Sequence, residues 1–430
     1  MAKIDRFEME RYQSLHWHEV EHDLSESGVT PLTIRELLGP YADAEIFMQT
    51  ALGYPLSEGS EETRHHIAQW YPDAGVDNVT LVNGGSEANL LALWSLLGRG
   101  DRLAYMVPNY LQGRGLGPFF GKAVDTFRLR IQDGRWALDL ESLERAVGPA
   151  TKVVMVCNPN NPTGAVLTEA EMEAVIEVAA RRGAWIVADE IYRGAEVDTD
   201  ATSPSFWGRY DRVVVTSGLS KAFGMPGLRV GWALSSPKAI RRIQTRHDYT
   251  TLTPGMISDR LAAFTMHPDV RENVFARTRG IIRANLPRLE SWIAEHPYLD
   301  YVRPVAGAIV YVGCRLPMRS SELVERIRTE QSVLLVPAEM FGLKRGFRIG
   351  FGFDIERTMK GLARVDEVLA AVAPAESSEP MAASDPMAAS DPAPDPEPEV
   401  TVQIPPADDP RTVVLDEPTV AQTGPFDPSA

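Results

Sequence analysis

Between residues 75 and 235 the sequence carries five short apolar runs rich in β-branched residues: NVTLV, RLAYMV, TKVVMVC, AWIVAD and RVVVTS. None of them alternates apolar with polar positions. A strand with one wet face alternates, whereas a strand covered on both faces reads as a continuous apolar run. The intervening segments SEANLLALWSLLG and TEAEMEAVIEVAARRG space their apolar residues three and four apart, opening on Ser or Thr and closing on Gly, as helices do. Strands and helices taking turns in this way predict an α/β fold whose large domain is a mostly parallel, doubly wound sheet. From about 255 to 296 the pattern turns helical. YLDYVRPVAGAIVYVGC, SVLLVP and GFRIGFG then read as strands of a smaller α/β domain, closed by the helix DIERTMKGLARVDEVLAAV. The expected division is an N-terminal segment (1–45) packing on the small domain and the substrate site, a large domain (46–270), a small domain (271–372) and a tail (373–430).

With 430 residues, 44% of them hydrophobic, the chain has apolar surface for more than one domain. Its net charge of −16 is unevenly spread: residues 374–430 hold 12 Asp/Glu against one Arg, leaving −5 on the other 373 residues. That tail also contains 13 of the 32 prolines and repeats PMAASD in tandem. So little apolar surface cannot offset ordering entropy, and the tail is expected to be disordered. An acidic body without a long Lys/Arg cluster argues against nucleic acid or an anionic membrane as partner. Two cysteines, Cys157 and Cys314, make no disulfide framework and no CxxC pair. The HWH triplet at 16–18 and the His65-His66 pair lack carboxylate or cysteine spacing, so no metal is expected. GRGLGPFFG (113–121) lacks dinucleotide spacing after a strand and reads as a turn and helix start. The charged N-terminus has no apolar signal core and no run approaches the roughly 18 residues of a membrane span, so a cytoplasmic protein is expected.

Ligands of open α/β sheets bind beyond the carboxyl ends of the strands. NVTLV is followed by NGGSEAN, whose small residues open a helix with N–H groups free to hold a phosphate. RLAYMV leads to Pro108-Asn109-Tyr110, TKVVMVC to NPNNPTG with Asn161, and AWIVA to Asp189, Glu190 and Tyr192. RVVVTS leads to Lys221, with Arg229 beyond. A phosphate cradle, an aromatic plate, an amide, a carboxylate with a phenol, and a lysine with an arginine together suit one ligand, a flat phosphorylated aromatic aldehyde. That ligand is pyridoxal phosphate.

NPNNPTG, ADEIY and GLSKAFGMPGLRVG, in this order and spacing, with GYPLSEG (53–59) and GFRIG (346–350), resemble the motifs of fold-type I pyridoxal-phosphate enzymes of the class I/II aminotransferase family over residues 20–372. The resemblance implies an aspartate aminotransferase-like fold and a homodimer whose active sites form across the interface. It implies that Lys221 binds the cofactor covalently, its amine kept available by desolvation and nearby positive charge. Asp189 is implied beside the pyridine nitrogen, Asn161 and Tyr192 on the phenolate oxygen, and Tyr110 stacked on the ring. Gly85, Ser86, Glu87 and Arg229 are implied at the phosphate, the first three through backbone N–H groups, with Tyr54 reaching the phosphate of the partner subunit. Arg348 is implied as the bidentate grip on the substrate α-carboxylate.

Two departures from the family pattern bear on specificity. Position 218 is Gly where Ser is common, which makes Ser217 or Ser220 the candidate phosphate hydroxyl. HDLSESGVTPLT (22–33) replaces the commoner N-terminal substrate stretch; its Gly28 still places backbone near the substrate carboxylate, but the segment resembles that of pyridoxal-phosphate enzymes that act on arginine by elimination and cyclisation. The implied activity is transfer of an α-amino group from an L-amino acid to a 2-oxo acid, with elimination, cyclisation or oxidation of an amino acid such as arginine as the alternative. The side-chain pocket is expected to draw on residues 12–33, 112–117 and 249–253.

Overall fold

The computed structural model describes residues 4–39 and 45–373; all but the first residue of the acidic tail read from the sequence lies outside them. In chain order the strands are β1 (His22–Asp23), β2 (Val79–Val82), β3 (Arg102–Val107), β4 (Ala123–Gln132), β5 (Arg135–Leu138), β6 (Thr151–Cys157) and β7 (Trp185–Asp189). There follow β8 (Val213–Gly218), β9 (Gly231–Leu234), β10 (Leu299–Tyr301), β11 (Ile309–Cys314), β12 (Val333–Leu334), β13 (Val336–Pro337) and β14 (Phe347–Gly350). Eight of them form one sheet in the order β2-β9-β8-β7-β6-β3-β4-β5. Six run in one direction, and only β9 and β5 oppose them.

The five apolar runs are β2, β3, β6, β7 and β8, and nearly every residue in them is buried. Sandwiching between helix layers is why these strands need no polar face. Three strands of this sheet differ from the expectation. β4 and β5 form a hairpin in which only Phe127 and Leu129 of β4 are buried, turning at Asp133 (φ 52) and Gly134 (φ 75). β9 lies inside the glycine-rich stretch after Lys221 and inserts antiparallel between β2 and β8.

Local chemistry sets the helix ends. In Glu169–Arg182, Thr168 accepts from the Glu171 amide, Glu171 closes the capping box, and Gly183 at φ 60 takes the left-handed cap. Gly85–Leu96 begins one residue earlier than its serine suggests, with Gly84 at φ 97 as the N-cap. All of GRGLGPFFG but its last residue falls within the helix Gln112–Phe120, with Gly121 as its C-cap.

The second sheet is antiparallel, in the order β10-β11-β14-β13. It is accompanied by the helices Ser320–Gln331 and Ile355–Val372, which pack on each other. Asp354 caps the second of these by accepting from the Glu356 and Arg357 amides. The N-terminal segment is tied to this part of the molecule: β1 pairs in parallel with β12, and Val29 bridges Gly352. Among the described residues no helix is long and apolar enough to cross a membrane.

Where β9 passes the start of the helix Gly85–Leu96, the two backbones touch. A Cβ on Gly231 would sit 2.6 Å from the Gly84 oxygen and 2.7 Å from the Gly85 nitrogen. Gly231→Ala is therefore expected to destabilise the chain by about 1–3 kcal/mol, read as a lower urea midpoint at unchanged slope.

Candidate active site

Because β2, β3, β6, β7 and β8 share one direction, the residues that follow them gather at one edge of the sheet. A cavity of about 850 Å³ opens there. Asp189, Tyr192, Asn161, Tyr110, Gly85, Ser86, Ser220, Lys221, Arg229 and Arg348 all line it, as the sequence led one to expect. Its other wall comes from the N-terminal segment, including Glu10, Gln13, Asp23, Glu26 and Ser27.

Asp189 ends β7 at the cavity floor. Asn89 Nδ2 donates to its Oδ2 at 2.8 Å, and the Ile191 amide donates to Oδ1 at 3.1 Å. Asn89 is itself held, since Thr216 Oγ1 donates to its Oδ1 at 2.6 Å. Asn89 closes NGGSEAN and Thr216 lies in RVVVTS, but neither carried an expected role; they sit on the helix and strand that flank Asp189. Burial pushes the Asp189 carboxyl up to about 6, against the pull of the Asn89 and Ile191 hydrogen bonds. Glu190 turns the other way and accepts from Ser205 Oγ and the Phe206 amide.

Lys221 departs from expectation in its surroundings. Rather than a positive neighbour, its Nζ meets the Glu26 carboxylate, donating to Oε1 at 2.8 Å. The same oxygen accepts the Ser27 and Gly28 amides at 2.9 and 3.0 Å. Gly28 thus spends its N–H on Glu26 and packs beside Lys221 and Ser220; it does not line the cavity. Lys221 and Arg348 together hold the Glu26 carboxyl down to about 2, Lys221 being the larger cause, although burial opposes it.

Arg348, in the middle of β14, is 1% exposed. Its Nη1 donates to Asn161 Oδ1 at 3.0 Å, Nη2 donates to the Ser25 carbonyl, and the guanidinium lies over the Phe341 ring. Its Nε is buried without a hydrogen-bond partner. Burial lowers the Arg348 pKa and raises that of the Tyr192 phenol, the guanidinium partly offsetting the latter.

Toward the start of the helix Gly85–Leu96, Gly85 and Ser86 face the cavity, and the Arg229 guanidinium lies so close to Gly84 that a side chain there would overlap it. Glu87 does not join them. Its amide bonds to the Gly84 carbonyl, and its carboxylate accepts from the Asn83 amide and Thr251. Ser217 is buried and donates to the Glu190 carbonyl, whereas Ser220 lines the cavity, so the hydroxyl on offer is Ser220. Tyr110 is anchored by the N-terminal helix: its hydroxyl donates to Glu10 Oε1 at 2.5 Å, and Phe7 meets its ring edge-on. Tyr54 is 85% exposed and away from the cavity of its own chain. Residues 12–33 contribute to the cavity; 112–117 and 249–253 do not. Cys157 lines it as a buried thiol with a pKa raised by burial. His18 and His22 also face it, and among the described residues no group of three or more His, Cys, Asp or Glu could hold a metal.

These groups fit a pyridoxal phosphate. Asp189 is a buried carboxylate with no cation paired to it among the described residues, so a protonated ring nitrogen would complete it. The folded chain keeps a proton on Asp189 up to about pH 6, whereas the unfolded chain releases it near 3.8. The folded state then binds more protons between these values, and the cofactor-free chain loses stability as pH rises through that window. At pH 7 the buried charge costs the cofactor-free chain about 3 kcal/mol; Asp189→Asn is expected to escape this cost, less that of turning one amide N–H on the Asn89 or Ile191 donor, a gap measured by calorimetry. The gap should close on acidification from about 6 toward 3.8.

The model of the family "Aminotransferase class I and II" matches residues 41–365. Capreomycidine synthase of Streptomyces vinaceus is 28% identical over 379 residues, covering 86% of this chain and 94% of that protein. Aspartate aminotransferase of Thermotoga maritima is 28% identical over 328 residues, covering 74% and 83%. Among solved structures, a PLP-dependent aminotransferase from Streptococcus suis superposes with a TM-score of 0.81 at 29% identity, over 87% of this chain and all of that one. The PLP-dependent cyclase OrfR superposes with a TM-score of 0.77 at 27% identity, over 86% and 98%. A sheet whose strand ends bring Asp189 and Lys221 to one cavity, with Arg348 of the second sheet facing them, and a family model spanning three quarters of the chain lead to one conclusion: this chain belongs to the class I and II aminotransferases, fold-type I enzymes that depend on pyridoxal 5'-phosphate.

Proposed function

We propose that this chain is an aminotransferase that moves an α-amino group from an L-amino acid to a 2-oxo acid. The observation that carries this reading is Arg348: a guanidinium buried at the cavity wall, one of its N–H groups unpartnered, on the same cavity as Lys221. A buried guanidinium with donor capacity to spare recruits a carboxylate. When bound, pyridoxal phosphate supplies a carbonyl for the substrate amine and a ring that draws electrons from Cα. Arg348 orients the substrate through its α-carboxylate, with Asn161 steadying the guanidinium. Lys221 Nζ would take the proton from Cα and carry it to what was the cofactor's aldehyde carbon. Asp189, fixed by Asn89, holds the ring nitrogen's proton, while Asn161 and Tyr192 hold the ring oxygen. Gly85, Ser86, Ser220 and Arg229 bind the phosphate. Homodimerisation belongs to the same reading, with Tyr54 completing the phosphate site of the partner subunit; its exposure leaves the phenol available for that contact.

A second reading is favoured by the cavity's acidic wall. Glu10, Asp23 and Glu26 all face it from the N-terminal segment, which suits a substrate with a cationic side chain. Likeness to capreomycidine synthase and to the cyclase OrfR supports elimination or cyclisation of such an amino acid, arginine among them. Purified protein supplied with amino acids and a 2-oxo acid decides between the two. Transamination gives a new amino acid from the 2-oxo acid; cyclisation consumes arginine and leaves the 2-oxo acid untouched. Under either reading Arg348→Lys, which cannot grip a carboxylate with two parallel N–H groups, is expected to raise KM about tenfold to a hundredfold, from one lost charged hydrogen bond of about 1.5–3 kcal/mol. An unchanged KM removes Arg348 from the substrate site.

A further inference from the structure

We propose that Glu26 is the acid–base partner of Lys221: it takes a proton from Nζ and returns it to the oxygen that departs when Lys221 bonds to the cofactor's aldehyde carbon. The proposal rests on the reading of Lys221 as the covalent attachment point.

The contact itself is built with care on both sides. Glu26 Oε1 sits 2.8 Å from Nζ and is steered there by the consecutive Ser27 and Gly28 amides. Those amides are fixed in turn by close packing. A methyl group on Gly350 would overlap the Glu26 carbonyl, and one on Gly352 would overlap the Gly28 carbonyl. On the other side, the carbonyl of Ser220 lies only 3.3 Å from where a Gly28 Cβ would stand. The loop that carries Glu26 is thereby wedged between β14 and the turn that carries Lys221.

A lysine amine in water is protonated at neutral pH and has no lone pair with which to attack. Among the described residues, the cavity offers few other takers for that proton. Asp189 is tied to Asn89 and Ile191, Glu10 is bonded to Tyr110, and Arg229 and Arg348 are cations. Glu26 alone has an oxygen on Nζ. During attachment Nζ loses two protons, a carbon–oxygen double bond is exchanged for a carbon–nitrogen one, and the oxygen leaves as water with both protons. One of the two passes through Glu26, which ends as the carboxylate it began as. The low proton affinity of Glu26 does not prevent this, because Lys221 is its chief cause. Once Nζ is neutral that cause is gone. Burial, which favours the protonated acid, then acts against Arg348 and the Ser27 amide, with Tyr192 and Asp23 as the other titratable groups nearby.

The test follows attachment rather than turnover. Cofactor-free protein is mixed with pyridoxal 5'-phosphate, samples are reduced with borohydride at intervals, and label on the Lys221 peptide is measured by mass across a range of pH. Glu26→Gln keeps an amide oxygen able to accept from Nζ, Ser27 and Gly28 but takes up no proton. It is expected to attach about 10²-fold more slowly at pH 7, to reach the native stoichiometry, and to recover as pH rises and solvent strips Nζ of its proton. Glu26→Ala is expected to be slow and to accelerate with added formate. Attachment at the native rate in Glu26→Gln, or a slow rate in both variants that neither pH nor formate changes, overturns the proposal. Lys221→Ala keeps the two readings apart: stable label on that variant defeats the assignment of Lys221 itself, whatever Glu26 does.

Discussion

The shared direction of five buried strands is the constraint from which the site follows. Had any one of β2, β3, β6, β7 or β8 run the other way, its trailing residues would stand at the far edge of the sheet. As built, side chains separated by more than a hundred positions converge on one cavity, and each is held by the rigid end of a strand. The helices that enforce the common direction also cover both faces, which is why the strands are apolar throughout. One physical requirement thus accounts for both the sequence pattern and the position of the chemistry.

Around that edge the electrostatics are arranged as two unlike carboxylates. Asp189 is buried among neutral donors and keeps its proton to an unusually high pH. Glu26 is only half-buried, faces Lys221 and Arg348, and loses its proton easily. Environment alone separates them, through desolvation in one case and neighbouring cations in the other. A carboxylate without a cation awaits a positively charged ligand atom; a carboxylate already carrying one acts on the chain's own lysine.

Much of this was legible from the sequence, for stated reasons. Uninterrupted apolar runs disclosed the covered strands, and the polar turns after them disclosed Asn161, Asp189, Tyr192 and Lys221. The hairpin of β4 and β5 was missed because AVDTFRLRIQ alternates like a surface strand and carries three charges, although its Asp133-Gly134 turn is a usable hairpin signal. Asn89 and Thr216 escaped because a residue that orients a catalytic group is marked only by three-dimensional proximity. Glu26 escaped for a similar reason: its partner is 195 positions away. Glu87 and Ser217 sat in the right motifs, but the Glu87 amide is spent on the Gly84 carbonyl and the strand pleat turns the Ser217 hydroxyl elsewhere.

The docking of the N-terminal segment has a consequence for biosynthesis. His22, Leu24 and Thr30 find their backbone partners at 332, 334, 350 and 352, and Ser25 meets Arg348 across 323 positions of chain. A ribosome-bound fragment therefore has its lysine-bearing sheet complete long before the wall opposite can be seated in full. Until β12 and β14 are made, residues 22–32 have only their large-domain contacts, such as those at Lys221 and Gly224, without the backbone ladder that seats them, and the reactive pocket stays open to solvent on the side they will close.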